Sequence, residues 1–541
     1  MRLSIAALVL LVFGPLSANA IEPDAPPLLI ERPDAVAILI QAELEKRAAS
    51  GSSSQFKARL RELLEFYKTR QGAPVWLTEA GWNPKRAQAS AAFERAGSFG
   101  LNAEDYKAPG EIDLSGPFPA ERLAHAEVEM SLAAVLYAVH AQSGRFVPQD
   151  ISEYLDPRID TPSAERVLQG AASSDDITEH LESFHPQNPQ FRALKAELAK
   201  IVSGSPADVV VPVPARGPTL KPGDTHPDVA ALRQRLGAPK PADGAGDGFY
   251  DEVLADVVKA FQSRSGLTPD AVVGPSTRAA FATPPAPDRD TLIANMERWR
   301  WAARDFGETH VRVNIPEFLV RVIKDERTIF EERIVVGKPE NKTPVFSDEM
   351  ETVVFNPFWN VPGSITTKEI LPMVRRNPSY LERNNLQVFI GGRRKPVDPY
   401  YVDWETINPN QVFIRQPPGA DNALGKLKFL FPNKHAVYMH DTPTKHLFNQ
   451  GSRAFSHGCV RVRNPRNFAE VLLRAQGWTL PRIEKTIASG VGDVNVQLTP
   501  KIPVHILYFT LWAREDGSVQ RFRDIYGHDA RVLEALRSAR S

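Results

Sequence analysis

Cysteine is nearly absent from this chain of 541 residues, which holds one, Cys459. A lone thiol excludes an internal disulfide framework and the Cys-rich structural zinc sites. A zinc site sharing Cys459 with His440 and His457 would still lack a fourth ligand, so no metal is expected. An excess of charge of one sign is absent too. Lys plus Arg and Asp plus Glu number 65 each, which gives no support for a nucleic-acid partner, since such binding usually requires a basic surface. Beyond the first twenty residues there is no apolar run of about eighteen, so no further membrane span is expected.

Those first twenty residues carry an export pattern. Arg2 supplies a short positive region, Leu3 to Val12 is nearly all apolar, and Ala18-Asn19-Ala20 has the small-x-small form of a cleavage site. Cleavage is expected after Ala20. An exported chain that keeps one thiol in an oxidising compartment exposes it to oxidation. That makes sense where the thiol does chemistry; the alternative is a buried structural cysteine.

The flanks of Cys459 favour chemistry. It lies in Phe455-Ser456-His457-Gly458-Cys459-Val460-Arg461-Val462. Gly458 allows close backbone approach or a conformation closed to other residues. From Cys459 to Arg463 the chain alternates as a strand does, placing the thiol at a strand mouth. Asn464-Pro465 reads as a helix N-cap and first turn, with Phe468, Val471, Leu472 and Ala475 at helical spacing and Gly477 as the stop.

A thiol near neutral pH needs a base or a cation to become a thiolate. Among 12 histidines, His457 is two positions before Cys459. His440 ends the strand-like run Ala436-Val437-Tyr438-Met439-His440, before the turn Asp441-Thr442-Pro443. Adjacent strands would bring His440 within hydrogen-bonding reach of Cys459. Spacing leaves the choice between the two imidazoles open.

Tyr438-Met439-His440-Asp441-Thr442-Pro443 followed by Ser456-His457-Gly458-Cys459-Val460-Arg461 resembles the L,D-transpeptidase signature. Arg415-Gln416-Pro417-Pro418-Gly419 with Asn422-Ala423-Leu424-Gly425-Lys426 resembles the large multidomain members of the Gram-negative envelope. The resemblance implies a periplasmic location, Cys459 as nucleophile and His440 as general acid and base. It gives His457 and Gly458 a role through the loop and its oxyanion-binding N–H groups. Tyr438 and Arg461 are expected at the substrate.

Length and pattern imply two to four domains. The expected fold class is α+β: a mainly β catalytic domain with an inserted lid, a helical scaffold domain, and a small three-helix peptidoglycan-binding module. The expected parts are a signal peptide at 1–20, the scaffold at 21–208, and a Pro- and Val-rich linker at 209–217. The module follows at 218–283, then a return segment of the scaffold at 284–306. The catalytic domain spans 307–487, with its lid at about 366–410, and a hairpin and tail occupy 488–541. Helices are expected from Gln55 to Arg70, with Phe56, Leu60, Leu63, Leu64 and Tyr67 on one face, and from about Glu121 to Gln142. The run Glu297-Arg298-Trp299-Arg300-Trp301 reads as interdomain packing. Strands around Asp516-Gly517 are expected to edge the catalytic sheet.

The reaction implied is acyl transfer from a peptidoglycan tetrapeptide stem, releasing D-Ala, to the side-chain amine of another stem, giving a 3→3 cross-link. No cofactor is needed. Stems are the donor and acceptor, wall-synthesis proteins are further partners, and nucleic acid is not one. Two alternatives stand beside it. One is a cysteine hydrolase or carboxypeptidase that trims stems or lipoprotein links. The other is a non-catalytic wall-binding protein.

Overall fold

The computed structural model describes residues 33–50, 54–78, 81–115, 118–203, 213–242, 244–264, 267, 269–281, 287–514 and 517–538. The export signal, residues 209–212 of the expected linker and Asp516 lie outside the described residues. Of the described residues, those up to Asn83 and Pro109–Ser131 form one compact unit, and Pro84–Ala108 with those from Leu132 onward form another. Among the described residues no helix is long and apolar enough to cross a membrane.

In the first unit, helices span Pro33–Ser50 and Ser54–Thr69. Leu60, Leu63, Leu64 and Tyr67 are buried as their spacing implies, and Phe66 joins them, while Phe56 is 40% exposed. Phe56 falls in the first helical turn, one turn before the buried stripe begins. Glu127 is fully buried. It accepts from the Tyr67 hydroxyl at 2.7 Å and from the N–H groups of Val75 and Trp76 at 2.5 and 3.1 Å. A carboxylate with that many donors is satisfied, and its role is to hold the loop at Val75.

In the second unit, the helix Arg289–Trp301 is buried on every side. Its polar residues are tolerated because each finds a partner. Glu297 sits between Arg145 and Arg300 at 3.1 and 3.2 Å, Arg298 pairs with Asp529, and Asn295 donates to Thr510 at 2.8 Å. Trp299 stacks on Phe509 with ring centroids 4.1 Å apart. The basic, aromatic run is therefore core, as its packing reading implies. Three helices, Pro227–Leu236, Glu252–Arg264 and Pro275–Phe281, enclose a separate apolar core. Val213, expected in the linker, is buried in that core, and Arg278 donates to the Pro214 and Pro218 carbonyls. These carbonyls draw the proline-rich stretch onto the helices.

Nine strands build the main sheet: β1 Thr309–Asn314, β2 Leu319–Lys324, β3 Arg327–Gly337, β4 Phe346–Phe355, β5 Leu427–Leu430, β6 Met439–His440, β7 Ala454–Ser456, β8 Val460–Val462 and β9 Val494–Leu507. Their order is β7, β3, β8, β6, β5, β4, β9, β1, β2, and β2 also pairs with β3, so the pairings run in a ring. The alternating Val and Ile residues of β1 to β4 point into one core with Phe429, Met439, Val460 and Phe468. The C-terminal segment departs from expectation. Its strand β9 lies between β4 and β1, at the centre of the sheet. The hairpin is a separate pair, Leu511–Ala513 with Val519–Arg521. Burial decides this: residues from Val504 to Leu507 are all buried, unlike an edge strand.

Between Trp359–Asn360 and Val412–Gln416, which pair with each other, the chain makes an inserted segment with its own core. It contains Ile370, Leu371, Val374, Leu381, Val388 and Trp404.

Five histidines among the described residues are buried, and burial favours the neutral form of each. It pushes His440 and His528 down to about 3 and His505 to about 4, holds His185 well below 6.5 and lowers His310. An unfolded chain takes protons on these groups below pH 6.5 and the folded one does not. Stability is therefore present above that pH and lost as pH falls towards 3. His528 lies against Tyr508 and Tyr526, and neither ring nitrogen has a hydrogen-bond partner. The variant His528→Phe should fold, and its Tm should fall less between pH 6.5 and 4, by roughly 2–4 °C. Thermal melts across that range check it; an unchanged slope would remove His528 as a source of acid lability.

Candidate active site

Strand register brings three polar side chains into one row. Lys428 on β5 is opposite His440 on β6, and His440 is opposite Arg461 on β8. β6 and β8 run parallel, and the Val460 N–H donates to the Tyr438 carbonyl at 3.1 Å. Cys459 thus enters β8 beside Tyr438. Tyr438, through its backbone and its hydroxyl, acts on the Cys459 thiol to favour the thiolate. The thiol is half-buried. Burial pushes it above its ordinary value, while Tyr438, Lys428 and Arg461 pull in the opposite direction.

His440 is buried, and its Nδ1 is 2.5 Å from the Asp441 carbonyl oxygen. A carbonyl accepts only, so Nδ1 carries the hydrogen and Nε2 keeps a lone pair. Burial, then the charge of Arg461, with smaller contributions from Lys428 and Lys445, hold the imidazole near 3. It is neutral at pH 7. Among the described residues the one hydrogen bond of the His440 ring is that to Asp441, and no thiol–imidazole bond is made in this resting arrangement.

The loop before β5 sets the pose of His440. The Asp441 carboxylate accepts from the Lys426 N–H at 2.9 Å, the Thr442 N–H at 2.7 Å and the Lys445 ammonium at 2.6 Å. Asn422 donates to the carbonyls of Pro357 and Pro417, and Gln416 accepts from the Ala423 N–H. Gly425 has φ +59°, and a Cβ there would stand 2.3 Å from Asp441 Oδ2. The Gln416 and Asn422–Lys426 residues are thus a mould for Asp441.

On the other side, Gly458 has φ +115°. Its N–H donates to Ser456 Oγ at 3.1 Å, and the Ser456 hydroxyl donates to the Cys459 carbonyl at 2.6 Å. The Gly458 N–H, expected among the oxyanion-binding donors, is thus engaged by Ser456 in this resting arrangement. The N–H groups of His457 and Cys459 have no acceptor among the described residues. The Thr343 hydroxyl donates to the Gly458 carbonyl at 2.8 Å. The Tyr526 hydroxyl accepts from the Thr343 N–H and donates to the Gly337 carbonyl. The His457 side chain reaches Glu369 of the inserted segment at 2.6 Å. Arg461 donates to the Thr444 hydroxyl at 3.2 Å.

Cys459, Tyr438, His440, Gly458 and Arg461 therefore converge, whereas the His457 imidazole turns to the inserted segment. Sequence reading missed Lys428, Glu369 and Thr343. The signal for Lys428 was a lysine alternating with the buried Leu427 and Phe429; the other two are brought in by tertiary structure alone. Among the described residues no group of three or more His, Cys, Asp or Glu side chains could hold a metal.

A half-buried thiol at a strand mouth, a neutral imidazole with a free lone pair, and N–H groups without acceptors are the groups that cysteine acyl transfer requires. Residues 308–486 match the family described as the L,D-transpeptidase catalytic domain. Residues 61–198 match a scaffold domain, and residues 225–281 match the family described as "Putative peptidoglycan binding domain". The chain is therefore a multidomain protein with an L,D-transpeptidase catalytic domain, of mixed helical and β architecture. It is 36% identical over 242 residues to a "Putative L,D-transpeptidase" of Haemophilus influenzae, a match covering 44% of this chain and 48% of that protein. The chain thus spans about half the length of that relative. A crystal structure of an L,D-transpeptidase (residues 123–326) from Xylanimonas cellulosilytica is 17% identical, covering 54% of this chain and 99% of that one, with a TM-score of 0.19.

The mould around Asp441 is testable. Gly425→Ala requires a positive φ for alanine and displaces Asp441, so stability should fall by roughly 1–3 kcal/mol. Denaturant unfolding reads the loss, and a variant as stable as the parent would show the Asp441 pocket to be loose.

Proposed function

We propose that this chain is a peptidoglycan L,D-transpeptidase of the periplasm, exported with cleavage after Ala20. Cys459 is its nucleophile and His440 its general acid and base. The observation that carries this reading is the convergence of Cys459, Tyr438 and His440 at the β6–β8 contact, inside the matched catalytic domain.

The donor is a tetrapeptide stem. As the Cys459 sulfur attacks the carbonyl of the third residue, its proton passes to His440 Nε2. The Cys459 and His457 N–H groups face the oxyanion. Collapse breaks the C–N bond, and His440 returns the proton to the departing D-Ala amine, leaving a thioester. The side-chain amine of a second stem then attacks, His440 takes its proton, and the thiol is restored as the new amide forms. The product is a 3→3 cross-link. Neutral His440 and a thiol held up by burial favour proton transfer in concert with attack over a standing ion pair. The chain's own residues supply every step, so no cofactor is invoked. Tyr438 and Arg461 contact the substrate, and wall-synthesis proteins are further partners.

Cys459→Ala should abolish cross-linking and acylation by a carbapenem while the protein keeps its fold; product from a well-folded variant would sink the mechanism. His440→Ala should slow acylation roughly a hundred- to ten-thousandfold, and His457→Ser far less, because His457 acts through its backbone. Stopped-flow acylation separates them, and the reverse order would move the base to His457. Mass spectrometry of products from defined disaccharide-tetrapeptides distinguishes transfer from hydrolysis.

The helices between Pro227 and Phe281 have their own core. Replacing the module with a flexible linker should leave acylation by a small β-lactam largely unchanged and weaken binding to sacculi, since a tethered second contact raises local stem concentration. Equal sacculus binding with and without the module would make it a spacer.

A further inference from the structure

Two cations beside the thiol lack counter-ions. The Lys428 ammonium lies 4.1 Å from the Tyr438 ring centroid, and among the described residues it makes no ion pair and no hydrogen bond; Asp493, whose charge acts on it, is paired with Arg415 at 3.3 Å. Arg461 reaches only the neutral Thr444 hydroxyl, and its Nε is buried without a partner. The contrast with their neighbours is sharp. Lys445 pairs with Asp441 at 2.6 Å, and Arg463 pairs with Glu332 at 2.7 Å. The nearby carboxylates are already committed, and Asp441 is locked by backbone donors. Removing cations from water without an opposite charge is unfavourable, and a ligand carboxylate would reverse that.

We propose that Lys428 and Arg461 form a carboxylate-binding subsite beside Cys459, which takes the terminal carboxylate of the donor peptide. This rests on reading Cys459 as the residue that is acylated. The geometry suits such a donor, because the carboxylate lies one residue beyond the attacked carbonyl. The row Lys428–His440–Arg461 brackets the imidazole as well as the thiol. Burial is the main reason His440 is a weak base, and pairing both cations with substrate offsets the part of the effect that Arg461 and Lys428 add. The donor's carboxylate would improve its own proton acceptor, and a donor ending in an amide would lose kcat as well as affinity.

Charge-matched alkylation of the full-length protein tests the subsite without requiring transpeptidation. Iodoacetate and iodoacetamide react alike: sulfur forms a bond to carbon, iodide leaves and the thiol proton goes to solvent. They differ in a carboxylate. Cys459 is the only thiol, so mass spectrometry reads a single site. At low ionic strength the iodoacetate-to-iodoacetamide rate ratio, divided by that of free cysteine, should exceed one by about fivefold or more. It should collapse in Lys428→Met and persist in Lys428→Arg. A normalised ratio at or below one in the wild-type protein would overturn the proposal, even if Lys428→Met fails to fold. So would a ratio that Lys428→Met leaves unchanged. Failure of Cys459 as a transpeptidase nucleophile is read separately, in the tetrapeptide assay, and leaves this ratio untouched.

Discussion

Two residue pairs, Met439 with Val460 and His440 with Arg461, join β6 to β8 in parallel, and the rest of the site hangs on that short contact. Both strands are too brief to hold themselves. They are fixed by longer neighbours, β8 against β3 and β6 against β5, whose residues share one apolar core. The period of two then does the sorting. Met439, Val460 and Val462 face the core, while His440, Lys428 and Arg461 face the other way. A slip of one residue would bury the polar row and expel the apolar one, so the same burial that stabilises the sheet sets the site's register.

That register makes an unusual electrostatic setting. Cations next to a thiol usually depress its pKa. Here Lys428 and Arg461 do pull that way, but burial is the larger effect and the thiol stays raised. The same burial and the same cations keep His440 neutral. Both partners are thus held uncharged, so the resting site avoids placing an ion pair in a poorly solvated pocket. A neutral thiol is also less readily oxidised than a thiolate. For a chain with a single cysteine, that protection and the latent reactivity arise from one feature, the limited access of water.

The residues that do local work were legible in the sequence. Alternation marked the strand after Cys459, and Gly458 marked a backbone position closed to other residues, which the structure gives φ +115°. The three short helices of the module and the buried character of the Glu297–Trp301 run were likewise readable. What escaped was set by tertiary pairing. No period in the chain says that β9, more than thirty residues past β8, inserts between β4 and β1. Gly458 was read as an oxyanion donor, but Ser456 folds back onto its N–H, a local hydroxyl-to-backbone bond that competes for the same group. Lys428 looked like an ordinary strand lysine until the register placed it across from His440.

The insertion of β9 has a further consequence for the catalytic loop. The chain beyond β9 does not trail away. Asp524 accepts from the Tyr508 hydroxyl, that hydroxyl accepts from the Tyr526 N–H, and the Tyr526 hydroxyl bridges Gly337 and Thr343. Thr343 in turn holds the Gly458 carbonyl. The backbone that carries the thiol is therefore braced from behind by the C-terminal segment, through hydroxyl groups that each donate and accept once. Asp524 belongs to the same buried cluster as Asp529 and Arg298 of the all-buried helix. A polar chain thus runs from that helix to the loop of Cys459. Buried polar networks of this kind are stiff, because every member lost leaves another unsatisfied. The loop's glycine, at φ +115°, has both its carbonyl and its N–H held in this way.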